Sequence, residues 1–190
     1  VLGAAKLLCE KPPAGSVKFI FQPHEEKKPG GARGMIAAGA LERPRVDGIL
    51  AAHISNAWPL GEIAVSAGPM MAGTDDFDLL ISGQGGHGAL PHQAADVISA
   101  AAQVITTWQA MLARRFDPQQ PALISVCAIQ GGAAHNVLPE RVKLQGTFRC
   151  FDADLREALI IAMRQTAQGV CATWQTQCEL KIISGYPPVI

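Results

Sequence analysis

A chain of 190 residues, 48% hydrophobic and 17% charged, has enough apolar surface for one large or two small cores, which excludes a disordered or low-complexity protein. Sixteen Lys and Arg balance sixteen Asp and Glu with no long run of one sign, so the charge pattern recruits neither nucleic acid nor an anionic membrane. Small molecules or another subunit are the expected partners. The five cysteines are odd in number and lack Cys-x-x-Cys spacing, which argues against a disulfide framework and a thiolate zinc knuckle and for a reducing cytoplasm. No basic-then-apolar leader opens the chain, and no stretch approaches the roughly 20 apolar residues of a membrane span. Because Val1 is not an initiator methionine, the chain reads as an internal segment.

Residues 4–10 look like the tail of a helix, broken by Lys11-Pro12-Pro13-Ala14-Gly15. The apolar run 17–21 predicts a buried strand. Gly30-Gly31 then opens a short helix through Met35, Ile36 and Leu41, and residues 46–52 give another apolar strand ending at His53. Strand, helix, strand suggests an α/β layer with parallel pairing, whose chemistry sits at the carboxyl ends of the strands.

From Thr74 the period changes. Phe77, Leu79 and Ile81 alternate with Asp76, Asp78 and Leu80, the pattern of a strand with one face on a core. In residues 96–114, Val97, Ala101, Val104, Ile105, Trp108 and Leu112 form one apolar helical stripe, and the prolines at 118 and 121 end it. Residues 123–130 and 141–151 are strand-like and should pair antiparallel, the second with Val142, Leu144, Phe148 and Cys150 on one face and Arg141, Lys143, Gln145 and Arg149 on the other. Asp152 or Asp154 can cap a helix with Leu155, Leu159, Met163 and Val170 on its apolar stripe, and residues 174–184 form the last strand. The order βαββαβ closes a four-stranded sheet with both helices on one face, the ferredoxin-like arrangement. The fold class is therefore α/β, part of an α/β domain in residues 1–73 followed by a ferredoxin-like domain in residues 74–185.

Five segments carry possible chemistry. Phe21-Gln22-Pro23-His24-Glu25-Glu26 sets two carboxylates just past a strand, where one can bind a metal and the other can act as base; a solvated acidic turn followed by Lys27 and Lys28 is the plain alternative. A zincin reading fails because His-Glu-x-x-His needs histidine where Lys28 stands. His53, at the end of an apolar run, is either a metal ligand or a hydrogen-bonded loop residue. The glycines of Gly83-Gln84-Gly85-Gly86-His87-Gly88 permit turns that hold His87 at a strand end; the same residues fit Gly-x-Gly-x-x-Gly, but no acidic residue follows at the spacing a dinucleotide fold needs. Asn136, in the glycine-opened connection 131–139, is a turn former or a donor to a substrate, and Arg149 is a solvated sheet arginine or a clamp for a substrate carboxylate.

In order, Phe-Gln-Pro-x-Glu-Glu, His53, Gly-Gly-His-Gly-Ala-Leu-Pro-His, Asn-Val-Leu-Pro and Gly-Thr-Phe-Arg resemble the aminoacylase and carboxypeptidase family, in its branch of hippurate hydrolases, N-acyl-amino-acid amidohydrolases and auxin-conjugate hydrolases. The resemblance covers nearly the whole chain. It implies that Glu25 is the general base on a water held between two divalent metal ions, zinc or manganese, and that Glu26 and His53 are metal ligands. It implies that residues 74–185 are the lid and dimerisation domain of a homodimer, with residues 186–190 starting the return to the catalytic domain. His87 would reach a partner subunit's site to steady the oxyanion, and Asn136 and Arg149 would hold the substrate carboxylate. The family's upstream Asp-containing and Cys-Gly-His-Asp metal motifs and its late histidine are absent, and His24, where a small residue is usual, is not counted as a ligand. The expected activity is hydrolysis of N-acyl or aminoacyl amino acids by a longer parent, the 190-residue chain by itself being inactive. The competing expectation is a non-catalytic dimerisation or small-ligand module. An RNA-binding ferredoxin-like domain is disfavoured, since the stacking aromatics and a phosphate track are missing.

Overall fold

The computed structural model describes residues 1–27 and 30–190. They divide into two compact units, Val1–Ala64 and Val65–Ile190.

The first unit holds helices α1 (Leu2–Glu10) and α2 (Ala32–Ala37), the latter shorter than the run to Leu41 suggested. Residues 17–21 and 46–52 are not strands, and the expected parallel pair does not form. An extended segment becomes a strand only when a neighbour takes its N–H and C=O groups, and among the described residues neither segment has such a neighbour. Their apolar side chains are correspondingly uncovered: Val17, Phe21, Ile49 and Leu50 are all exposed. His53 accordingly lies in irregular backbone and not at a strand end.

In the second unit alternation and helical stripe agree with each other, and the predicted elements form. Strands β1 (Gly73–Ser82), β3 (Ala122–Gly131), β5 (Arg141–Cys150) and β6 (Gln177–Ser184) make one sheet in the order β3-β5-β1-β6. Every neighbouring pair is antiparallel. Helix α3 (Val97–Arg115) joins β1 to β3 and α4 (Ala153–Thr173) joins β5 to β6, giving the ferredoxin-like βαββαβ order. Strands β2 (Gly86–His87) and β4 (Val137–Leu138) form a separate small ladder.

One face of the large sheet is dry. Phe77, Leu79, Ile81, Ile124, Val142, Leu144 and Phe148 pack under Val97, Val104, Trp108, Leu159 and Met163 from the two helices. Trp108 ties the layers together: its ring meets Phe77 edge-on, centroids 5.2 Å apart, and its indole N–H donates to the Met163 carbonyl at 3.0 Å. Gly146 lies opposite Phe77 because a Cβ there would stand 2.6 Å from the Phe77 ring and 2.0 Å from the Ser125 carbonyl oxygen. Both long helices are capped by aspartate. Asp96 accepts from the Ile98 and Ser99 N–H groups, each at 3.0 Å, and Asp152, not Asp154, caps α4 by accepting from Leu155 N–H at 2.8 Å. The last strand begins at Gln177 instead of 174, since α4 runs on to Thr173 and a turn with Gln175 at φ 55° follows.

One polar group is buried at the start of the sheet. Asp75 accepts from Arg156 of α4 through Nε at 2.7 Å and Nη2 at 3.0 Å, and from the Gly185 N–H at 3.2 Å. The two-pronged contact is what makes an inward carboxylate tolerable in a dry layer. It also joins the beginning of β1, the start of α4 and the end of β6. Beyond it the two chain segments run side by side, with Met70 N–H donating to Val189 O and Val189 N–H to Met71 O, both at 2.9 Å.

Candidate functional site

The predicted site residues fall into three places. Glu25 and Glu26 occupy a turn in which the Lys27 N–H donates to the His24 carbonyl at 3.2 Å and His24 takes a left-handed φ of 52°. Both carboxylates are exposed. Lys28, which enters both the zincin argument and the plain reading of the acidic turn, lies outside the described residues with Pro29.

His53 is also exposed, and its ring is oriented by one contact, Nδ1 to the Ile54 carbonyl oxygen at 2.6 Å. A carbonyl oxygen only accepts, so Nδ1 carries the proton and the neutral ring keeps its lone pair on Nε2. Metal-binding imidazoles are commonly oriented in this way, the second nitrogen being tied to a backbone carbonyl. Carboxylate and imidazole are the right donor types for a divalent ion of zinc or manganese character. Among the described residues, however, no three His, Cys, Asp or Glu side chains gather around a common point. The described residues therefore offer donors that fit in kind, with no cluster among them that encloses an ion.

His87 sits on β2, opposite Val137 of β4, and the Gly88 N–H donates to the Asn136 carbonyl at 2.8 Å. The ladder thus brings His87 and Asn136 to the same end of the second unit, both exposed. Turn freedom is not what the glycines here supply: neither Gly85 nor Gly86 has a positive φ. Gly85 instead permits close approach, since a Cβ there would lie 2.9 Å from the Leu138 carbonyl oxygen. The His87 ring accepts the Ala89 N–H on Nδ1 at 3.1 Å. In the neutral ring the proton must then be on Nε2, leaving that nitrogen a donor. His53 and His87 are held in opposite tautomers, the first suited to give a lone pair and the second to give a hydrogen bond.

Arg149 stands apart from His87 and Asn136. It lies opposite Thr74 and Leu123 near the start of β1, exposed on the polar face of the sheet. The small ladder lies past the other end of β1, and Thr74 to Ser82 alone spans about 26 Å at roughly 3.3 Å per residue. Within one chain the structure does not join Asn136 and Arg149 around one carboxylate. The sequence reading missed the β2–β4 ladder, whose strands are two residues each and carry no periodicity, and the Asp75–Arg156 pair, whose members are 81 positions apart.

These observations define a two-part α/β chain: a unit bearing two carboxylates and an oriented imidazole, and a ferredoxin-like unit bearing a donor histidine. Residues 1–190 match the peptidase family M20/M25/M40, and the chain belongs to that family. It is 40% identical over its whole length to an N-acyl-L-amino acid amidohydrolase of Geobacillus stearothermophilus, covering 51% of that protein. It is 37% identical to an N-acetylcysteine deacetylase of Bacillus subtilis, covering all of this chain and 50% of the relative. The chain thus spans about half the length of the curated relatives it matches. Among solved structures, it resembles the Bacillus subtilis YXEP protein, described as a dinuclear metal-binding peptidase of the M20 family, with a TM-score of 0.72 and 33% identity over 99% of this chain and 47% of the other.

Proposed function

We propose that the protein to which this chain belongs hydrolyses the amide bond of N-acyl or aminoacyl amino acids, using two divalent ions, zinc or manganese, and working as a homodimer. The observation that carries the reading is the pair of oppositely oriented histidines, His53 as a lone-pair donor and His87 as a hydrogen-bond donor, in a chain that aligns throughout with amino-acid deacylases.

In this reading residues 1–73 contribute to the catalytic domain and residues 74–185 are the lid. Glu26 and His53 supply two of the metal ligands. When bound, the ions would polarise the scissile carbonyl and favour ionisation of the attacking water. A Glu25 carboxylate oxygen takes the proton from that water and passes it to the leaving nitrogen. The His87 Nε2–H donates to the oxygen on which charge develops, and Asn136 and Arg149 hold the carboxylate of the amino-acid product. The separation of Arg149 from His87 and Asn136 supports the dimer: one substrate can meet all three only if Arg149 comes from one copy and the other two from its partner.

The decisive experiment assays the full-length protein for release of amino acid from hippurate and N-acetyl amino acids, before and after chelation. Loss of turnover on chelation, restoration by zinc or manganese, and loss in Glu25→Gln are the expected results. Chelator-insensitive turnover, or a fully active Glu25→Gln protein, overturns the mechanism. The competing reading is a dimerisation or small-ligand module in which the acidic pair and His53 are idle. Metal analysis of the full-length protein separates them, since only the enzyme holds stoichiometric metal.

A further inference from the structure

His87 does not reach solvent alone. Val137 stands opposite it in the β2–β4 ladder and is 50% exposed. Residues paired across an antiparallel ladder place their side chains on the same side, with Cβ atoms roughly 4.5–5.5 Å apart. Leu90, 43% exposed, is tied to the same turn: its N–H donates to the His87 carbonyl at 2.8 Å, closing the turn whose Ala89 N–H orients the imidazole. Residues 84–93 and 131–138 contain no Asp, Glu, Lys or Arg. A hydrogen-bond donor is thus presented between two uncovered aliphatic side chains, on loops that supply no carboxylate, ammonium or guanidinium.

The reaction proposed above decides what lies next to such a donor, and the inference rests on that reading. The oxygen on which charge develops is bonded to the carbon that also bears the acyl substituent. Side chains that flank the imidazole therefore stand beside that substituent, while the far end of the substrate, its carboxylate, belongs to Asn136 and Arg149. We propose that Val137 and Leu90 are specificity-determining residues, an aliphatic wall that selects longer uncharged acyl groups over acetyl and over acyl groups ending in a carboxylate. An acetyl methyl is too short to cover either side chain, whereas a hexanoyl chain is long enough to take both out of water. Each methylene buried in this way favours the longer substrate by about three- to fourfold. A carboxylate in the same place loses its hydration and meets no cation from these two loops.

The full-length protein, loaded with metal, is assayed on one L-amino acid carrying acetyl, butanoyl, hexanoyl or succinyl on its nitrogen, and kcat/KM is compared. In wild type, hexanoyl should exceed acetyl by about tenfold or more. Butanoyl should exceed succinyl, of the same chain length, by a similar factor of roughly ten. In Val137→Thr, in Leu90→Ser and in the double variant the hexanoyl-to-acetyl ratio should fall stepwise, by about three- to tenfold in all. A loss of folded enzyme cancels from this ratio, so partial misfolding does not imitate the effect. A wild-type ratio near one, succinyl cleaved as well as butanoyl, or a double variant with the wild-type ratio overturns the inference and leaves the amidohydrolase reading standing. Failure to cleave any of the four substrates overturns both.

Discussion

His87 stands directly opposite Val137 in an antiparallel ladder of two residues a side, one position from Asn136. The ladder fixes where the histidine is, and the Ala89 N–H fixes which nitrogen donates. Replacing His87 by Ala in the full-length protein should lower kcat about 100- to 1000-fold, the usual consequence of removing one donor to a developing oxyanion. KM should move far less. Steady-state kinetics on an N-acetyl amino acid checks the split, and a change confined to KM would assign His87 to ground-state binding.

A different outcome is expected for Arg149, which the proposed function sets on the substrate carboxylate. Arg149→Met should raise KM strongly, and amide substrates that lack a free carboxylate should be insensitive to the change. Equal losses on both substrate types would remove Arg149 from the binding site.

The buried pair at the start of the sheet tests stability and not chemistry. Arg156→Met leaves the Asp75 carboxylate inside the layer without its two-pronged partner. The loss should be about 3–5 kcal/mol, measured as a shift in the urea midpoint. Gly146→Ala, which forces a methyl against Phe77 and the Ser125 carbonyl, should cost about 1–3 kcal/mol in the same assay.

On the polar face, the Gln145 amide donating at 2.8 Å and the Lys143 ammonium at 2.9 Å hold the Asp78 carboxyl below its ordinary range. Since the folded value is the lower one, the contribution to stability is fully present above the unfolded value near 3.8 and is lost as pH falls through the folded value. Wild type should therefore be more stable than Gln145→Leu at neutral pH, and the difference should shrink as pH falls through the acidic range in which Asp78 takes up its proton. An NMR titration should find the Asp78 carboxyl of Gln145→Leu closer to its unperturbed position.

Much of the second unit was legible because its signals were local and repeated. Alternation at Phe77, Leu79 and Ile81 and the stripe from Val97 to Leu112 specify a strand and a helix without knowledge of their partners, whereas the ladder order β3-β5-β1-β6 came from the structure. The same reasoning failed at 17–21 and 46–52, where an apolar run states that something must be covered but not by what. A strand is a relation between segments, and no neighbour pairs with these two among the described residues.

The sequence by itself determined the chemical inventory: two adjacent carboxylates, His53, a glycine-flanked His87, Asn136 and Arg149, in an order that resembles one family of hydrolases. What only the tertiary structure decided was geometry. A hydrogen bond to a backbone atom chose the tautomer of each histidine, cross-strand register joined His87 to Asn136 and separated both from Arg149, and α4 brought Arg156 onto Asp75. Residue identity is written along the chain, whereas distance between remote residues depends on how the layers close over the core.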